Sequence, residues 1–110
     1  MLTRNAKGAR RERQFVEFLN NQGYVCHRVA GSGHMESATC DLVAIRKGKA
    51  YLVEVKSRKK VFYTKSHLDQ LNIMIKEAKR CGAIPLLAVK INYKPWEVIN
   101  ISKIIPKKVN

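Results

Sequence analysis

The chain has 110 residues, enough to bury one hydrophobic core but not two. Its 22 Lys and Arg against 8 Asp and Glu give a formal charge of +14, which points to a polyanionic partner, nucleic acid above all, rather than to a small-molecule substrate. No run approaches the roughly 18 apolar residues of a membrane span, and MLTRNAKGARRER has no apolar stretch of signal-peptide type, so an intracellular, cytoplasmic protein without a membrane partner is expected.

In chain order, the first predicted element is a helix from about Asn5 to Gln22, ended by Gly23. At 100° per residue Ala9, Phe15, Val16 and Leu19 share one arc, and Lys7, Arg10, Arg13, Gln14 and Glu17 lie opposite. Glu12 falls inside the apolar arc. A carboxylate there is costly unless paired or bound to a metal, so it belongs either to a salt bridge, with Lys56 or Arg28, or to a site. A strand follows at Tyr24 to Val29, then the loop AGSGHMESATC, where Gly31 and Gly33 allow another backbone to approach closely. Ser32 between them is either a turn serine or a donor to a phosphate.

The segment CDLVAIRKGKAYLVEVKS reads as a hairpin from Asp41 to Ser57 with its turn at Lys47-Gly48. That turn sets Arg46 opposite Lys49 and carries the ladder back to Asp41 opposite Glu54, while Glu54 and Lys56 project from one face. A three-residue turn would throw one carboxylate to the other face. Two facing carboxylates repel, and a chain tolerates them when a divalent cation lies between them and a phosphate shares it. The plainer alternative is a solvated Asp and a surface Glu/Lys pair. The run Lys56-Ser-Arg-Lys-Lys continues the strand, so Arg58, Lys59 and Lys60 read as a phosphate track. Arg4, Lys7, Arg10 and Arg11 on and before the first helix are further candidate DNA contacts.

A second helix is predicted from Lys65 to Cys81, with Leu68, Leu71, Met74, Ile75 and Ala78 buried and Gly82 as its cap. The apolar strand Ile84 to Ile91 suits a central position, and a turn at Asn92 to Pro95 leads to a last strand, Trp96 to Ile101. Trp96 reads as core or as an interface anchor, with stacking on a base or a partner as the functional alternative, and Ile104 and Ile105 are candidates to dock from the tail. The three cysteines form no CxxC pair and are expected as reduced thiols. A zinc site from Cys26, His27, His34 and Cys40 fits no finger spacing. The order α-β-β-β-α-β-β describes an α/β fold, a mixed sheet flanked by helices, with Glu12 expected to pack over the hairpin face that carries Asp41, Glu54 and Lys56.

The ordered set G-x-x-x-E-R, R-x-A-G-S-G, D-L-V-A, E-V-K and P-L-L-A-V-K resembles the archaeal-type Holliday junction resolvases of the restriction-endonuclease-like nuclease superfamily, over nearly the whole chain. The resemblance implies a single nuclease domain over residues 1–110, acting on DNA four-way junctions as a homodimer with Mg²⁺, or Mn²⁺ in its place. It implies metal ligation by Glu12, Asp41 and Glu54, transition-state stabilisation by Lys56, a contribution of Ser32 to the active site, and DNA contacts from Arg13 and Arg28. Two departures stand out: Cys40 occupies a position usually held by proline, and the segment Gly33 to Cys40 is longer than in compact members. The competing expectations are a superfamily nuclease acting on flaps or single strands, and a basic DNA-binding protein without catalysis.

Overall fold

The computed structural model describes residues 4–29, 40–58 and 65–102, of which residues 4–7, 58 and 65–67 by backbone alone. The elements are α1 (Arg4–Asn20), β1 (Val25–Arg28), β2 (Leu42–Arg46), β3 (Lys49–Arg58), α2 (Lys65–Cys81), β4 (Ile84–Ile91) and β5 (Glu97–Asn100). The sheet runs β1-β2-β3-β4-β5, antiparallel throughout except for the parallel pair β3/β4. The α/β order predicted from the sequence is the order observed. The limits of α2 and β4 agree to the residue. The first helix ends two residues early, and β1 and β5 are each one residue shorter at both ends, where the outer strands lose pairing partners.

Local chemistry accounts for the hairpin. Lys47 and Gly48 both have positive φ, 50° and 77°, as a two-residue turn matching the right-handed strand twist requires. Arg46 therefore pairs with Lys49, Ala44 with Tyr51 and Leu42 with Val53. The ladder ends there: the Asp41 N–H bonds the Val53 carbonyl, one residue out of the Arg46/Lys49 register, so Asp41 lies beside Glu54 without the direct pairing expected from the sequence.

Alternation along the strands divides the core into two layers. Leu42, Ala44, Val53, Val55, Leu86 and Ala88 meet Phe15 and Leu19 of α1. Leu87 and Val89, with Val43, Leu52 and Ile99 at the margin, meet Leu71, Met74 and Ile75 of α2. Strand β4 is thus apolar on both faces, as a central strand with a parallel neighbour requires. Trp96 and Phe18 close the first layer against the Phe15 ring, Trp96 at a centroid distance of 4.7 Å and Phe18 at 5.5 Å, so Trp96 is a core residue.

The layering overturns one expectation. Glu54 and Lys56 alternate with Val53 and Val55, so they project from the α2 face, whereas α1 lies on the other. Glu12 therefore does not pack over the face of Glu54 and Lys56, although it comes within electrostatic reach of Asp41. The apolar pair Val53 and Val55 claims Phe15 and Leu19, which carries α1 to the opposite side.

Cys26 and Cys40 are buried in different layers and Cys81 is exposed, all three as free thiols. Such a division gives no support to a shared zinc site. His34, Ile104 and Ile105 lie outside the described residues. Among the described residues no helix is long and apolar enough to cross a membrane.

Phe15 is fully buried at the junction of α1, the sheet and Trp96. Phe15→Ala is expected to cost about 3–5 kcal/mol. Urea denaturation checks this as a lower midpoint at unchanged slope, and a loss below about 1 kcal/mol would mean that the layer does not hinge on this ring.

Candidate active site

Asp41 stands where β1, β2 and β3 meet. Its main-chain N–H donates to the Val53 carbonyl (2.9 Å), and its own carbonyl accepts from Val29 N–H (2.8 Å). Its Oδ2 accepts from Val55 N–H at 2.9 Å, so the carboxylate takes a place in the ladder that a main-chain carbonyl would otherwise fill. Three hydrogen bonds to two chain segments, two through the main chain and one through the carboxylate, fix Asp41 before any ligand arrives.

Glu54 lies beside it and is only 2% exposed. Lys56 Nζ donates to Oε2 at 3.1 Å, and the lysine side chain is itself 17% exposed. Among the described residues nothing hydrogen-bonds Oε1, which is buried. A buried acceptor left so costs about 1–3 kcal/mol, more when charged. Burial, with the Asp41 charge second, pushes the Glu54 carboxyl up to about 8, against a smaller opposing pull from Lys56. The same two acids and, above all, burial push the Cys40 thiol up to about 11.

Glu12 approaches from the end of the sheet. Arg28 Nε donates to its Oε1 at 3.1 Å. Its carboxyl is nonetheless raised, first by burial and second by the Asp41 charge, with Arg28 and Arg13 pulling the other way. Of the three predicted ligands, the fold therefore brings Asp41 and Glu54 together and sets Glu12 within electrostatic reach, engaged by Arg28. Among the described residues no group of three or more His, Cys, Asp or Glu side chains has the placement of a metal cage.

The remaining predicted residues divide by position. Arg10 and Arg13 are exposed on α1, and Arg28 is exposed at the end of β1. Arg11, one of the candidate DNA contacts, is instead half-buried in a network: its Nε donates to Ser57 Oγ (3.1 Å), Nη1 to Gln14 Oε1 (2.9 Å) and Nη2 to Asn92 Oδ1 (3.3 Å). This pins α1 to the strand end that follows Lys56. Only the Arg11–Gln14 spacing was visible in sequence. Ser32, Lys59, Lys60 and most of the Gly33 to Cys40 segment lie outside the described residues, as do the side chains of Arg4, Lys7 and Arg58.

The donor chemistry suits a hard divalent cation: two adjacent carboxylates, one with a buried oxygen awaiting a partner, and a third carboxylate nearby. The fold agrees with what related proteins show. The family model for the archaeal Holliday junction resolvase (Hjc) matches residues 3–109. The crossover junction endodeoxyribonuclease Hjc of Archaeoglobus fulgidus is 36% identical over 93 residues, which span 83% of this chain and 66%, just under two thirds, of that relative. The solved structure of Archaeoglobus fulgidus Hjc, a Holliday junction resolvase from an archaeal hyperthermophile, superposes with a TM-score of 0.71 at 30% identity, covering 84% of this chain and 74% of that one. The chain belongs to the archaeal Holliday junction resolvase family. Membership brings with it the expectation of a divalent metal.

Glu54 gives a pH test without any substrate. The folded chain keeps its proton up to about 8, whereas the unfolded chain loses it near the ordinary 4.5. The folded state thus binds the extra proton between those values, and stability falls as pH rises through that window, by an amount on the order of a few kcal/mol. In EDTA, Glu54→Gln is expected to melt like the parent near about pH 5 and above it near about pH 9. Parallel melting curves across that range would show that Glu54 ionises normally.

Proposed function

We propose that the chain is a structure-selective DNA endonuclease, a single nuclease domain that resolves four-way junctions by paired metal-dependent nicks in recombination and repair. The observation that carries this reading is the orphaned, buried Oε1 of Glu54 beside Asp41, with Lys56 alongside, in a member of the resolvase family. A basic binder whose acids serve only as salt bridges accounts for Glu54 Oε2 and for Glu12. It gives no reason to bury Oε1 without a donor next to a second carboxylate.

Asp41 and Glu54 would hold the divalent ion, with Glu12 as a third donor. All-oxygen donors favour Mg²⁺, with Mn²⁺ as a substitute. The bound ion supplies an acidified water and neutralises charge on the phosphate. The Val55 N–H and the Lys56 ammonium hold the two carboxylates in fixed orientation, so no reorganisation is needed when DNA arrives. Lys56, already beside Glu54, offers a fixed positive charge to the pentavalent transition state. Ser32 supplies a hydroxyl or main-chain N–H to the reacting phosphate. Arg10, Arg13 and Arg28, with Arg4, Lys7, Arg58, Lys59 and Lys60, take up the flanking phosphates. In this reading Arg11 acts by tying α1 to β3.

Resolution needs two nicks in strands of like polarity, and one chain holds one such site. A two-fold homodimer is the simplest way to present two sites to a two-fold junction.

Glu54→Gln is expected to bring nicking of a four-way junction below detection while junction binding in EDTA persists; undiminished cleavage by this variant would overturn the mechanism. The parent protein should nick only with Mg²⁺ or Mn²⁺ and should favour four-way over flap and linear DNA in parallel reactions. Faster cutting of flaps would instead identify a flap nuclease. In sedimentation the chain should run at twice its 12.6 kDa mass, and a monomer at working concentration would remove the two-site argument.

A further inference from the structure

The turn between β4 and β5 carries a residue that the chemistry above does not use. Tyr93 is fully exposed, and its φ of 63° puts it in the left-handed region. That conformation is disfavoured for an L-residue with a bulky side chain and is most often taken by Gly or Asn. Neither core packing nor backbone preference explains an aromatic ring at this tip.

The turn is firmly held around the exposed ring. Lys94 N–H donates to the Ile91 carbonyl at 3.0 Å. The Lys90 ammonium donates to the Lys94 carbonyl. Asn92 is tied through Arg11 to Ser57. Ser57 directly follows Lys56, and Arg11 directly precedes Glu12. The turn is therefore anchored at the same end of the sheet as the acids. Lys56 pairs with Val89 in the parallel register, and Tyr93 is four residues further on. At about 3.3 Å per residue the Tyr93 Cα lies within about 15 Å of the Lys56 Cα, roughly four nucleotide steps along a strand. Three cations, Lys90, Lys94 and Arg11, accompany it.

Resting on the reading of the chain as a junction nuclease, we infer that Tyr93 is a stacking platform for a nucleobase exposed at the branch point of the DNA. A continuous duplex keeps its bases stacked and offers none to the ring. A branch point interrupts the stack, and an aromatic face on a cationic turn accepts a base of any sequence. The turn so placed favours branched over linear DNA without touching the scissile phosphate, and the Arg11–Asn92 bond fixes its distance from the site.

The test compares the parent chain, Tyr93→Phe and Tyr93→Ala for affinity to a four-way junction and to a linear duplex of the same sequence, in EDTA so that no strand is cut. Tyr93→Ala should weaken junction binding about tenfold and leave duplex binding within about twofold, as loss of one stacked base predicts. Tyr93→Phe, which keeps the ring, should bind both as the parent does. All three chains should melt alike, because the side chain is exposed and the backbone strain is common to them. Parent-like junction affinity in Tyr93→Ala overturns the inference, as does an equal loss on both DNAs, which would mark a general contact. A parent protein that does not prefer the junction at all would overturn the nuclease reading itself, a result distinct from either.

Discussion

The position of every charged group at the site descends from the backbone of two residues. Lys47 and Gly48 adopt positive φ, the strands on either side pair from Arg46/Lys49 to Leu42/Val53, and the Asp41 N–H then bonds the Val53 carbonyl, which leaves its carboxylate beside Glu54. The same turn sends Val53 and Val55 to one face and Glu54 and Lys56 to the other, because side chains alternate along a strand. The apolar pair selects α1 as its cover. The charged pair is left on the α2 face near the end of the sheet, where the apolar layer gives out. Register, layering and site are thus one constraint seen at three scales.

What this constraint produces is electrostatically costly, and the surrounding residues show how the cost is limited. Asp41 is stabilised by a main-chain donor, Glu12 by Arg28, and one oxygen of Glu54 by Lys56. The other oxygen of Glu54 has no donor among the described residues, and burial drives this carboxyl toward its protonated form. In a chain of net charge +14, negative charge has been concentrated where it is hardest to keep. Local strain or electrostatic cost of this kind, maintained by an otherwise consistent fold, is what a functional site looks like physically.

Much of this was legible in the sequence. The glycine turn fixed the register, the 3.6-residue stripe of α2 identified its buried face residue by residue, and the twofold alternation of CDLVAIRKGKAYLVEVKS gave the shared face of Glu54 and Lys56. The face chosen by α1 was not legible, because both surfaces of the central strands carry apolar side chains and helical periodicity does not say which one a helix will cover. The partner of Glu12 remained open between Lys56 and Arg28 for the same reason. Arg11 read as one more surface cation, since two of the three oxygens it meets are 46 and 81 residues away in sequence. Tyr93 gave no signal at all: its φ is a property of the closed turn, not of any local preference of tyrosine.

One thiol has a practical bearing on how the assembly should be studied. Cys81 is exposed at the last residue of α2, three residues before β4 begins opposite Tyr51. In air, a disulfide there would join two molecules covalently. In sedimentation such a covalent artefact would have the mass of a functional pair, so association has to be measured with a reductant present.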